Sequence, residues 1–116
     1  MKMDRLGIFH KSVERSRDLP DEVRQYARYV KEVRPTIIDR SYMEVLESQI
    51  RLSTRGPQWT QRLQNRRDTF RPYCNQSLLK GRIEIGIKAY WILVDPQEQQ
   101  VVYWELYEDW SERLKP

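Results

Sequence analysis

The stretch IEIGIKAYWIL, residues 83–93, decides what kind of fold this chain makes. Its apolar side chains recur at every second position: Ile83, Ile85, Ile87, Ala89, Trp91 and Leu93, with Glu84, Gly86 and Lys88 between them. Successive side chains on an extended backbone point to opposite faces, so this alternation in β-branched and aromatic residues is a strand signal. Asp95-Pro96 opens a turn, and Val101 to Tyr107 reads as the return strand. With Val94 set opposite Val101, Trp91 would face Trp104 and Leu93 would face Val102. The odd-numbered residues would then join Val102, Trp104 and Leu106 in one apolar face packed on helices. The opposite face starts polar but turns apolar near the loop, with Tyr90, Ile92, Val94, Val101, Tyr103 and Tyr107. A slip of one residue would exchange the two faces.

Helical patterns precede the hairpin. Pro20 to Arg34 carries Val23, Tyr26, Ala27, Val30 and Val33 at helical spacing, with Asp21 and Glu22 in the first turn, and Pro35 stops it. Ser41 to Leu52 forms a second helix with a capping-box pattern, Ser41 followed by Glu44. Tyr42, Met43, Leu46 and Ile50 share one of its faces, and Val45 and Leu52 lie on a neighbouring one. Residues 53–56 read as a turn, and Pro57 as the first residue of a third helix that ends before Pro72. Trp59, Leu63 and Phe70 give that helix a thin apolar stripe. Residues 1–18 show no period; Leu6, Ile8 and Phe9 would dock as a short strand, or the segment is an arm of mixed charge. The fold class expected is therefore α+β: about three helices on one face of a long antiparallel hairpin, with an N-terminal strand as an optional extension. Residues 1–18 are read as the arm and 19–116 as a single α+β domain.

Composition agrees with a single folded domain. At 116 residues the chain buries roughly two-thirds of its unfolded surface. The hydrophobic fraction is only 39%, but four Trp, seven Tyr and two Phe supply large buried areas. The N-terminus carries charges at Lys2, Asp4, Arg5 and Lys11 where a signal peptide would be apolar. The longest apolar run, Ala89 to Val94, is too short for a membrane span. Cys74 is the one cysteine and forms no internal disulfide. A cytoplasmic protein is expected.

Charge is segregated along the chain. Between Arg51 and Arg82 stand eight bases (Arg51, Arg55, Arg62, Arg66, Arg67, Arg71, Lys80, Arg82) and one acid, Asp68, within a protein of net charge +4. Residues 83–116 carry three bases and seven acids. A basic block of this kind draws an anionic partner.

Catalytic patterns are thin. His10 is the only histidine and sits in the arm. The chain has no HExxH, paired CxxC, P-loop or GxGxxG. No catalytic residue, metal set or cofactor is assigned, and the protein is read as not an enzyme. The leading reading is a non-enzymatic binding or assembly module. It would meet an acidic protein surface or larger assembly through Arg55, Arg62, Arg66, Arg67, Arg71, Tyr90, Tyr103 and Tyr107, since Arg, Tyr and Trp dominate interface hot spots. Self-association into a homo-oligomer is a further option. The alternative is nucleic-acid binding. Helix, helix, turn, helix and hairpin is the element order of a winged helix, a likeness of order alone. Gln58, Gln61, Arg62, Asn65 and Arg66 of the third helix would then meet bases and phosphates. The acidic, amide-rich tip from Asp95 to Gln100 argues against a wing on DNA. The least supported reading is a metal-dependent nuclease built on Glu84 and Lys88, placed on one strand face.

Overall fold

The computed structural model describes residues 4–107 and resolves into two compact units. One comprises the described residues up to Thr36 and from Leu78 onward; the other is Ile37–Ser77. The fold class is α+β, as the alternation and helical patterns imply. Its three long helices are α1 (Arg5–Arg15), α3 (Arg40–Arg51) and α4 (Pro57–Phe70), and α2 (Asp21–Gln25) is a single short turn. Its strands are β1 (Val33–Ile37), β2 (Ser77–Ile85), β3 (Lys88–Asp95) and β4 (Gln100–Tyr107), in sheet order β1-β2-β3-β4.

In the first unit, the expected long strand is two strands. Residues 83–93 turn back on themselves at Gly86-Ile87, between the paired Ile85 and Lys88. Gly86 has φ +61, a conformation open to glycine and costly for most side chains. A glycine with positive φ at the first of two loop positions belongs to the type II′ hairpin turns, whose twist matches that of the strands. The alternation hid this turn because Ile87 keeps the odd-position rhythm across it.

The second hairpin closes over Asp95, which pairs with Gln100 and whose Oδ1 accepts a hydrogen bond from the Gln97 amide at 3.0 Å. Val94 does face Val101, but a bulge between Leu93 and Val94 displaces the rest of the register. Trp91 therefore faces Glu105, Ile92 faces Trp104 and Leu93 faces Tyr103. The extra residue on β4 brings Trp104 and Leu106 onto the even-numbered face of β3, and that face is the core. Tyr90, Ile92 and Val94 belong to the buried cluster with Leu79 and Ile83, and Val101 and Trp104 pack against it. Trp91 lies on the other face, where Ala89 and Leu93 are also buried.

Helix α1 replaces the expected N-terminal strand or arm. Asp4 caps it, its Oδ1 accepting from the Gly7 amide at 3.0 Å. Phe9, Ser12 and Val13, at i, i+3 and i+4, are its buried face. Ser12 satisfies its hydroxyl within the helix by donating to the Ile8 carbonyl at 2.7 Å. The segment expected as one helix over 20–34 is shorter. It gives α2, a 3₁₀ turn at Ala27–Tyr29 and then β1. Its stripe survives in Val23, Ala27 and Val30, all in the core, while Tyr26 is partly exposed. Pro35 pushes Arg34 toward extended backbone, and β1 is an edge strand, where a missing amide proton is tolerated. Arg28 binds Glu14 at 2.8 Å; that hydrogen bond, with the carboxylate charge, raises the guanidinium above its ordinary value. The pair is exposed and contributes little to stability.

Phe9 meets the sheet at Gly81. A Cβ built on Gly81 would collide with the Cζ, Cε1 and Cε2 atoms of the Phe9 ring. The two residues are complementary: a full aromatic ring against a backbone with no side chain.

In the second unit, α3 and α4 pack together and bury Leu46, Leu63 and Phe70, along with Ile38. The amide of Asn75 donates to the carbonyl of Ile38 at 2.7 Å, joining the two ends of the unit. The cap of α3 is Asp39, not Ser41: Asp39 Oδ1 accepts from the Tyr42 amide at 2.8 Å. Pro57 is at the start of α4, as its fixed φ favours.

Three stability measurements check this arrangement by chemical denaturation. Phe9→Ala should cost about 3–5 kcal/mol. Gly81→Ala should cost about 1–3 kcal/mol, and less when combined with Phe9→Leu, because the added methyl and the ring compete for one space. Asp39→Ala should cost about 1 kcal/mol as a lost cap, whereas Ser41→Ala should be near neutral.

Candidate binding surface

The basic residues of the second unit form two groups with different surroundings. Helical spacing places Trp59, Arg62 and Arg66 on one side of α4, and Arg55 reaches the same ring from the preceding turn. The guanidinium carbons of Arg55, Arg62 and Arg66 lie 3.9, 5.6 and 5.7 Å from the Trp59 ring centroid. All three fall within cation–π range, where the negative ring face holds a cation without neutralising it. Arg67 and Arg71 have another role. They reach Glu47 of α3 at 3.7 and 3.5 Å, and Arg67 also meets Asp68 at 3.1 Å. These two arginines clamp α3 to α4.

The acids of this unit are committed locally. Glu44 binds Arg40 at 3.1 Å, Glu47 and Asp68 take the clamp arginines, and Asp39 caps its helix. Seven arginines stand against four acids over residues 37–77, a net charge of +3.

Next to this cluster is an open hollow of about 690 Å³, lined by Val45, Leu52, Arg55 and Trp59 among others. Val45 is 58% exposed and Leu52 is 72% exposed. These are the two residues whose helical phase sets them off the buried face of α3. An apolar strip thus lies beside an indole flanked by three guanidiniums. Thr60 braces its edge, donating to Ser53 Oγ at 2.9 Å.

The other expected contact residues are placed differently. Tyr90 is only 5% exposed; its ring packs in the core, 6.1 Å from that of Trp104, so it offers no contact surface. The even-numbered positions of β3 share a face with Leu79, Gly81 and Ile83 of β2, and that is the face on which Phe9 of α1 is seated. Tyr103 is on the opposite sheet face, with its hydroxyl donating to Glu105 at 2.8 Å. Tyr107 ends β4, paired with Ala89. Of the residues proposed to read bases, Gln58 is exposed, and Gln61 donates to Asn65 at 2.9 Å along the helix. Glu84 and Lys88 do not share a face. The Gly86 turn separates them onto two strands, Lys88 pairs with Ile85, and Glu84 binds Arg82 at 3.1 Å. Among the described residues no three His, Cys, Asp or Glu side chains converge as a metal set. His10 Nε2 lies 3.0 Å from the Val30 carbonyl, an acceptor only, so that nitrogen carries the proton. No helix among the described residues is long and apolar enough to cross a membrane.

Sequence reasoning missed Trp59 as the centre of the cluster, and Val45 and Leu52 as its apolar flank. Their signal was present: two large apolar residues off the main stripe of α3, with an arginine three residues and an indole seven residues after Leu52.

No family model matches the chain, and no curated protein or solved structure matches it significantly.

The Arg55–Trp59 contact should be measurable as a coupling. A double-mutant cycle of Arg55→Ala and Trp59→Ala, followed by denaturation, should give about 0.5–1 kcal/mol of favourable interaction energy. A coupling of zero would mean the stacked geometry has no energetic content in solution.

Proposed function

We propose that the protein is a non-enzymatic binding module whose α3–α4 unit captures an acidic, partly apolar segment of a protein partner. The observation that carries this reading is the apposition of exposed Val45 and Leu52 with three guanidiniums around Trp59. Apolar side chains of the partner would fill the hollow, and its carboxylates would meet Arg55, Arg62 and Arg66. Tryptophan and arginine at the centre of a small patch are the usual composition of an interface hot spot. A hydrophobic strip with a polar rim is likewise the usual layout of an interface. Arg67 and Arg71 support the surface indirectly by holding the helices together through Glu47.

A nucleic-acid partner is the second reading. It is favoured by the same three guanidiniums, which would also suit phosphates, and by the amide side chains along α4. It makes no use of Val45 and Leu52, which is why it ranks second.

Affinity capture with the tagged full-length chain, with and without nuclease, separates the two. A protein partner should survive nuclease treatment. Its capture should fall at least tenfold with Leu52→Asp and with Arg55→Glu, both exposed positions whose replacement leaves the helices folded by circular dichroism. Capture that vanishes on nuclease treatment, or that ignores Leu52→Asp, would sink the protein-partner reading.

A further inference from the structure

The first unit carries a separate groove. It has a volume of about 860 Å³, within the usual range of ligand pockets, and runs from the 3₁₀ turn and β1 onto β2 and β3. Tyr26 and Tyr29 stand at it as a tilted pair, 5.3 Å between ring centroids. Tyr29 is 71% exposed, which leaves most of its ring open. Four cationic residues line the groove, Lys31, Arg34, Lys80 and Arg82, against two acids, Glu32 and Glu84. Both acids are ion-paired to the groove's own arginines, Glu32 to Arg34 at 2.6 Å and Glu84 to Arg82 at 3.1 Å. These pairs hold the guanidiniums in place on the groove. Lys80 Nζ lies 4.0 Å from the Trp91 ring centroid, a position that fixes the ammonium on the groove wall.

We infer that this groove binds a nucleobase carrying a phosphate, either as a free nucleotide or within single-stranded nucleic acid. An acidic peptide would use the cations but has no need of open aromatic faces. A base uses both: it stacks on an exposed ring while its phosphate meets nearby ammonium and guanidinium groups. The groove offers this combination in one place, with Tyr29 as the platform and Lys31 and Arg34 two and five residues further along the chain. His10 steadies the rim, because its bond to the Val30 carbonyl anchors the residue that precedes Lys31. This inference is independent of the surface on α3–α4.

Fluorescence anisotropy with a labelled ten-nucleotide oligo-dT and oligo-U, alongside NMR titration with AMP and UMP, tests it on the full chain. Binding of the oligonucleotides should weaken with salt, by a log–log slope of about −0.7 per phosphate engaged. Tyr29→Ala should weaken binding by roughly five- to one-hundred-fold, the loss of one stacked base. Lys31→Glu should also weaken it, whereas Arg62→Glu on α4 should not. Shifts with AMP or UMP at Tyr29 and Lys31 identify a free-nucleotide site; binding of the oligonucleotides alone identifies a single-strand site. The inference is overturned if neither probe binds at low salt. It is also overturned if Tyr29→Ala leaves binding unchanged, or if polyglutamate competes as well as the oligonucleotides. The melting temperature of each variant guards against a loss caused by unfolding.

Discussion

The first unit depends on one close approach: the Phe9 ring of α1 set against the bare backbone of Gly81 on β2. Helix α1 carries few large apolar residues, so it needs a deep contact rather than a broad one. A glycine in mid-strand lowers the sheet surface locally, and the ring occupies the depression. Once Phe9 is seated, the helical spacing also buries Ser12 and Val13. The cluster of Leu79, Ile83, Tyr90, Ile92 and Val94 then has a cover on the helix side. Interiors of this density tolerate little change in volume, which makes the helix and the glycine mutually necessary.

The second unit is held by other means. Its apolar stripe on α4 is thin, and arginine fills positions where apolar residues would be expected. Beside the buried Leu46, Leu63 and Phe70, Arg67 meets Glu47 across the helix pair with only 24% of its side chain exposed, while the more exposed Arg71 pair adds little. Partial burial of this kind makes an ion pair less screened than a surface one. The arginines around Trp59 are placed differently, within cation–π distance of one indole. A basic segment that looks uniform in the sequence thus divides into two groups, and the proposed binding surface uses the second.

How much of this was legible can be judged at particular residues. Pro57 set the start of α4, and the spacing of Leu46 and Ile50 set the phase of α3, because helix signals are local. The arginines of the candidate surface were visible as charge, but their convergence on Trp59 was not. Arg55 lies outside the helix, and only the turn before Pro57 brings it to the ring. Tyr90 was misplaced as a contact residue for a different reason. The alternation of β3 gives two faces with apolar residues and no sign of which one a helix covers, and the bulge in β4 then brought Trp104 to the even-numbered face beside Tyr90. The turn at Gly86 was hidden because Ile87 preserved the alternation while the chain reversed direction. Helix α1 was missed because a short stripe of Phe9 and Val13 with a buried serine carries almost no periodic signal.

The sequence by itself determined the α+β class, the two long helices of the second unit, the strand character of residues 83–85, 88–93 and 101–107, and the separation of charge. Each of these follows from near-neighbour spacing or composition, which need no knowledge of distant contacts. Tertiary structure alone decided which sheet face became the core, that residues 5–15 are helical, and that Arg55 reaches the Trp59 ring. The first two turn on the seating of Phe9 of α1 against Gly81 of β2, and the third on the turn before Pro57. Neither a contact between residues far apart in the chain nor the conformation of a turn is recorded in an apolar period.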